Sequence, residues 1–211
     1  MGTAIYLVRH GSVIGAETGR FIGHLDVPLS PLGERQMAAL ARRLAEVELD
    51  AVYASDLTRT ARSAEILAAP HGLAPIPIRD LREFAMGQWE GLTAQEIRAL
   101  DEEAFVRWMS DVAGYQFPGG ESLAQLAARA WPAFERIAAT HAGRAVAIVA
   151  HGGTNRLLLC RALGLGPERL LALGQDYAGL SVLDLRGGAW NLRVLNSHDA
   201  HARVSAADER T

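Results

Sequence analysis

Lysine is absent from the sequence: all 21 basic residues are arginine, set against 24 acidic ones for a formal net charge of -3. A chain with no basic surplus lacks the electrostatic footprint of a general nucleic-acid binder. There is a single cysteine, Cys160, which excludes an internal disulfide and a cysteine-based metal cluster. No apolar run approaches the length needed to span a bilayer. The opening residues Met1-Gly2-Thr3-Ala4-Ile5-Tyr6 lack the charged region and cleavage site of a signal peptide. Together these absences predict a soluble cytoplasmic protein with no nucleic-acid and no membrane partner; a homodimer is compatible with them.

What is present is an ordinary globular mixture. The chain has 211 residues, 49% hydrophobic and 21% charged, enough for one domain with a real core. The apolar run Ala4-Ile5-Tyr6-Leu7-Val8 suits a strand buried on both faces, and it stops at Arg9-His10-Gly11. Ser30-Pro31 is a helix cap followed by proline at the first helical position, opening a helix over 32–47 with Met37, Leu40, Ala41 and Leu44 inward. A strand over 51–54 runs into Ser55-Asp56, which would cap a helix carrying Leu57, Ala61, Ala64 and Leu67 inward. Ile76 and Ile78 fit a short strand. The pattern weakens over 84–120, the candidate inserted lid, although 94–109 reads as one helix. Glu121-Ser122 opens another helix to about His141, and 145–150 is the strongest buried-strand signal. It ends at His151-Gly152-Gly153, with Thr154 as the expected cap of a helix over 155–163. A closing hairpin pairs 180–185 with 190–195. A polar tail, frayed from Asn196, is expected over 197–211. Alternating strands and helices imply an α/β sandwich with a mostly parallel sheet in a single domain.

Ligands of such sheets bind beyond the carboxyl ends of the strands. Three of those ends carry Arg9 and His10, Arg59, and His151. Two histidines beside two guanidinium groups would repel a metal cation and suit a phosphoryl group, whose oxygens accept bidentate arginine hydrogen bonds. Gly152 and Gly153 would add backbone N–H donors at a helix start. A histidine among cations is disfavoured in its charged form, so His10 is expected to stay neutral and attack phosphorus, with Gly11 leaving room for the ester. His151 would donate a hydrogen bond to the transferring group. Glu83, partly shielded, would keep its proton for the leaving alkoxide and then activate water; Glu90 is the rival. Arg20, Phe21, Ile22 and Gly23 are candidates for the substrate entrance.

Leu7-Val8-Arg9-His10-Gly11 resembles the signature of the histidine phosphatase superfamily, which includes cofactor-dependent phosphoglycerate mutases. Matching segments follow in order: Gly19-Arg20-Phe21-Ile22-Gly23-His24-Leu25-Asp26-Val27-Pro28-Leu29-Ser30, Ser55-Asp56-Leu57-Thr58-Arg59, Leu81-Arg82-Glu83 through Gly87-Gln88-Trp89-Glu90-Gly91, Pro118-Gly119-Gly120-Glu121-Ser122 and Ala150-His151-Gly152-Gly153. The resemblance implies a three-layer α/β/α sandwich with a mixed sheet, a phosphohistidine at His10, Glu83 as proton donor, and a phosphate pocket of Arg9, Arg59 and His151. It implies no metal and no organic cofactor. Ser12-Val13 and Ala85-Met86 depart from the usual residues at their positions, which bears on substrate selection.

Plainer readings compete at several positions. Trp108, Tyr115 and Phe117 could wall a substrate, but the small core of the lid is the favoured reading. His198 and His201 resemble a metal pair only by spacing, and Cys160 reads as a buried small hydrophobe. Between Phe84 and Gly120 only Arg98 and Arg107 are basic, too few for the second phosphate of a mutase. Water is therefore the expected acceptor. Gln175-Asp176-Tyr177 and Val194-Leu195-Asn196 add a likeness to α-ribazole phosphatases of cobalamin nucleotide-loop assembly, with α-ribazole 5'-phosphate as the expected small phosphorylated metabolite. The alternatives are a broad-specificity sugar or nucleotide phosphatase, a phosphoglycerate mutase, and a phosphate-binding module without turnover.

Overall fold

The computed structural model describes residues 2–198. Strands β1 (Thr3–Arg9), β2 (Leu49–Ala54), β3 (Ile76–Pro77), β4 (Ala145–Ala150), β5 (Leu180–Arg186) and β6 (Ala189–Ser197) form one sheet in the order β3-β2-β4-β1-β5-β6. β3, β2, β4 and β1 run parallel, while β5 and β6 are antiparallel to their neighbours. The sheet is mixed because the last two strands form a hairpin, whose Gly187 and Gly188 both adopt positive φ.

β1 and β4 are buried on both faces because helices cover both. Ile5, Leu7, Val146 and Ile148 pack with α5 (Leu123–Thr140) and α6 (Gly152–Ala162) on one side. Tyr6, Val8, Ala147 and Val149 pack with α1 (Pro31–Leu44) and α2 (Thr58–Ala68) on the other. Alternation along each strand feeds two cores, giving a three-layer α/β/α sandwich. Each wholly buried aliphatic side chain contributes about 2 kcal/mol by leaving water. No helix among the described residues is long and apolar enough to cross a membrane.

Several local expectations change. The helix expected over 94–109 is two, α3 (Ala94–Leu100) and α4 (Glu102–Ser110), because Asp101 turns its carboxylate back to accept from Ala104 N–H and starts a new helix. Neither Ser55 nor Asp56 caps α2; Asp56 is paired with Arg82, and Asp26 accepts from both the N–H and the hydroxyl of Thr58. The cap of α6 is His151, which leaves Thr154 inside the first turn. Asn196 and Ser197 belong to β6 rather than to a frayed tail. His201 and the remainder of that tail lie outside the described residues. Within 84–120, Phe84, Trp89, Ile97, Ala104 and Phe117 are buried in the main core. Trp89 gathers Phe105, Trp108, Tyr115 and Phe117 around it, so these aromatics pack on one another.

Candidate active site

β1 and β4 pair in register with Arg9 opposite Ala150, so the next residues, His10 and His151, leave the sheet side by side. Their ring centroids are 5.2 Å apart, with the planes inclined by 66°. His10 Nδ1 lies 2.8 Å from the Gly11 carbonyl oxygen. A carbonyl only accepts, so Nδ1 carries the proton and Nε2 keeps its lone pair. Burial, then Arg59, then Arg9 hold the His10 pKa well below the ordinary imidazole value, against a small opposing pull from the Gly11 carbonyl.

His151 is fully buried, and burial followed by Arg59, His10 and Arg9 lowers its pKa in the same way. Its Nε2 is 2.9 Å from Ser55 Oγ, and that oxygen already accepts from Leu57 N–H. With the serine hydroxyl donating to Nε2, the imidazole carries its proton on Nδ1. Nδ1 is buried with no partner among the described residues.

Arg59, in the first turn of α2, is buried beneath the loop before α1 and donates to the carbonyls of Gly23 (2.7 Å) and Leu25 (2.8 Å). Arg9 donates from Nη1 to the Gln175 carbonyl at 2.5 Å, and its guanidinium carbon stands 4.0 Å from the centre of the Tyr177 ring. Arg9 Nε is buried without a hydrogen-bond partner among the described residues.

Glu83 reaches the start of α6. Its carboxylate accepts from the N–H groups of Gly153 (2.8 Å), Thr154 (3.1 Å) and its own neighbour Phe84 (3.0 Å). A Cβ on Gly153 would stand 2.5 Å from Glu83 Oε1, so glycine there permits the approach. This changes one expectation: the Gly153 N–H, foreseen as a phosphate donor, serves Glu83 instead, together with the Thr154 N–H. The rival Glu90 instead accepts from His24 and Met86 N–H, tying two loops together.

A cavity of about 310 Å³ opens over these groups, with Arg9, His10, Arg59, Glu83 and His151 lining its floor. The expected entrance residues Arg20, Phe21, Ile22 and Gly23 line its wall. Ala16, Gly19, Met86 and Tyr177 line it too, and sequence reasoning did not place them there. Tyr177 stood in a recognisable motif, but nothing in the sequence tied that loop to His10. Gly11 and Gly152 are not in the lining. The bare Cα of Gly11 makes room for the backbone of α1, since a Cβ would stand 2.5 Å from Gly33 O, and Gly152 sits against Arg9 and Arg156. Ser12 is not in the lining either; its backbone carbonyl accepts from Ser30 and its N–H donates to Gln36.

Other depressions lie elsewhere. One of about 270 Å³ is mostly apolar and contains the buried Cys160. A larger one, about 510 Å³, lies against α1 and shares Tyr177 with the site. Neither holds the paired histidines, so side-chain chemistry rather than size marks the site. Among the described residues, no group of three or more His, Cys, Asp or Glu side chains is placed to hold a metal ion. His198 pairs with Asp176 at 3.1 Å.

Comparison with known proteins agrees with this geometry. The family model for the histidine phosphatase superfamily (branch 1) matches residues 5–198. Phosphoserine phosphatase 1 of Hydrogenobacter thermophilus is 32% identical over 181 residues, 86% of this chain and 86% of that one. The structure of the α-ribazole phosphatase from Shigella flexneri superposes with a TM-score of 0.84 at 28% identity, covering 92% of this chain and 96% of the other. A mycobacterial glucosyl-3-phosphoglycerate phosphatase superposes with a TM-score of 0.85 at 31% identity, covering 93% and 100%.

Proposed function

Because this chain belongs to the histidine phosphatase superfamily, branch 1, we propose that it is a metal-independent phosphomonoesterase that forms a phosphohistidine at His10. Its substrate is a small phosphorylated metabolite in the cytoplasm, with α-ribazole 5'-phosphate the leading candidate. The observation that carries the reaction is the His10 Nδ1–H bond to the Gly11 carbonyl, which leaves Nε2 as the free nitrogen of a neutral imidazole.

The steps follow from the atoms present. A phosphomonoester enters beside Arg9 and Arg59, whose charges offset its own. His10 Nε2 forms a bond to phosphorus as the ester P–O bond breaks. His151 Nδ1–H donates to an equatorial oxygen. The leaving alkoxide takes a proton from Glu83. A phosphomonoester entering as its monoanion brings a proton, and the two neighbouring acids, its phosphate and Glu83, hold that proton between them until the alkoxide takes it. Ionised again, Glu83 takes a proton from water, whose oxygen attacks the phosphohistidine. The N–P bond breaks, releasing phosphate and restoring His10.

The α-ribazole reading is supported by the Gln175-Asp176-Tyr177 segment, which puts an aromatic ring in the cavity wall, and by the named structural neighbour. A second reading, phosphoserine, is supported by the relative that carries that name. The test is phosphate release by wild type and His10→Ala on α-ribazole phosphate, phosphoserine, a nucleoside monophosphate, a sugar phosphate and p-nitrophenyl phosphate. Loss of all turnover in His10→Ala, with acid-labile radiolabel trapped on the wild type, supports the reaction. Turnover surviving in His10→Ala refutes it. The largest kcat/KM in the panel decides between the substrates.

A further inference from the structure

We propose that the ion pair between Arg20 and Glu96 withholds a cation from the cavity mouth, so that the site selects phosphomonoesters whose alcohol portion is uncharged. The inference rests on the reading of the floor as a phosphoryl pocket and names the class of leaving group that the pocket accepts.

The floor and the rim differ in character. Arg9 and Arg59 sit at the floor beside the two histidines, while Arg20 is on the exposed rim and is the remaining arginine in the lining. A second anionic group on a substrate, a carboxylate or another phosphate, would have to be met by Arg20. Around it the rim is apolar: Ala16, Phe21, Ile22, Met86 and the ring of Tyr177.

Arg20 is already engaged. Its Nη1 donates to the Gly91 carbonyl at 2.5 Å and to Glu96 Oε2 at 2.8 Å, and its Nη2 donates to Glu96 Oε1 at 3.4 Å. Glu96 is itself fixed, as the third residue of α3 in a capping box: its carboxylate accepts from Thr93 N–H while Thr93 Oγ1 accepts from Glu96 N–H. Arg20 bridges to Thr93 in backbone pairing, and Phe21 exchanges backbone bonds with Leu92 and Gly91. The guanidinium can turn into the cavity only by leaving three acceptors, two of them on a carboxylate anchored to a helix start. Both side chains are near 45% exposed, so water and salt screen the pair and its pull is modest. What it fixes is direction: the charge is neutralised and aimed along the rim.

A matched pair of substrates reads this out. Glycerol 3-phosphate and 3-phosphoglycerate share three carbons and a primary phosphate ester, and differ by a neutral hydroxymethyl against a carboxylate. Wild type should prefer glycerol 3-phosphate in kcat/KM by about tenfold or more. Glu96→Gln keeps the capping geometry and removes the counter-charge, so the preference should narrow by about three- to fivefold, the scale of an exposed ion pair. The narrowing should shrink at high salt and vanish in Glu96→Gln/Arg20→Ala. A wild-type ratio near one, or a ratio unmoved by Glu96→Gln, overturns the proposal even if phosphatase chemistry stands. Turnover that survives His10→Ala would instead overturn the reading on which it rests.

Discussion

Arg9 and Tyr177 form a stacked pair: the guanidinium carbon is 4.0 Å from the ring centre, and the same ring is 5.6 Å from His10. The pairing depends on a loop held from several sides. Ala178 N–H donates to the His10 carbonyl, Asp176 N–H donates to Asn196 Oδ1, and Asn196 Nδ2 donates to Asp176 Oδ2. Asn196 adopts a positive φ of 49° to do so, a conformation asparagine tolerates better than most residues.

Removing the ring should therefore loosen the arginine that meets the phosphate. Tyr177→Leu is expected to lower kcat/KM for p-nitrophenyl phosphate by about three- to thirtyfold, the range of a partly buried cation–π contact. Tyr177→Phe, which keeps the face, should stay within about threefold of wild type. Equal losses in the two variants would assign the effect to the hydroxyl instead.

Glu83→Gln should separate substrates by leaving group. Loss of the acid is expected to slow alkyl phosphates by about 10²- to 10⁴-fold and p-nitrophenyl phosphate much less, because nitrophenolate leaves without help. The glutamine can still accept N–H bonds from α6, so the fold should survive. A slowing that is the same for both esters would reassign the proton donor.

The two buried imidazoles set an acid limit on stability. Both pKa values are lowered by burial and by Arg59 in the folded protein, whereas an unfolded chain titrates near the ordinary histidine value. Below about pH 6.5 the unfolded state thus binds protons that the native state refuses, and stability declines as pH falls. Above that value neither state is charged at these positions and the effect is absent. The slope is bounded at about 1.4 kcal/mol per pH unit for each imidazole. Urea midpoints measured from pH 7.5 to 5.0 should drop more steeply for wild type than for His10→Asn. Parallel slopes would remove His10 as a source.

Gly33→Ala should harm both stability and turnover from outside the cavity. A Cβ there would stand 2.0 Å from the Ser12 carbonyl oxygen, while that oxygen also accepts from Ser30 N–H and hydroxyl. The start of α1 is thereby locked against the residues that follow His10. The cost should be about 1–3 kcal/mol in urea unfolding, with a parallel fall in kcat/KM. Unchanged values in both would mean that this contact does not hold the histidine loop.

The layers and strand ends were legible in the sequence because local pattern decides them. Two apolar runs buried on both faces each ended in a histidine, and Ser30-Pro31 marked the start of α1, where Ser30 does accept from Gly33 N–H. Distant partners were not legible. Asp26 takes over the start of α2 from across the chain, and helical spacing conceals the break at Asp101. The bare Cα of Gly11 lies against the backbone of α1, a contact set by distant packing. Residue type and position single out Glu83, while two of its three N–H donors depend on how α6 packs.

The adjacency of β1 and β4 also sets when the protein can become active during synthesis. β1 emerges long before β4, and its two apolar faces have no parallel neighbour until most of the chain has followed. Until that pairing closes, the nucleophile and its companion histidine belong to separate, incomplete pieces, and β1 is an exposed sticky segment of the kind chaperones shield. Turnover on refolding therefore cannot return before this strand pair has closed.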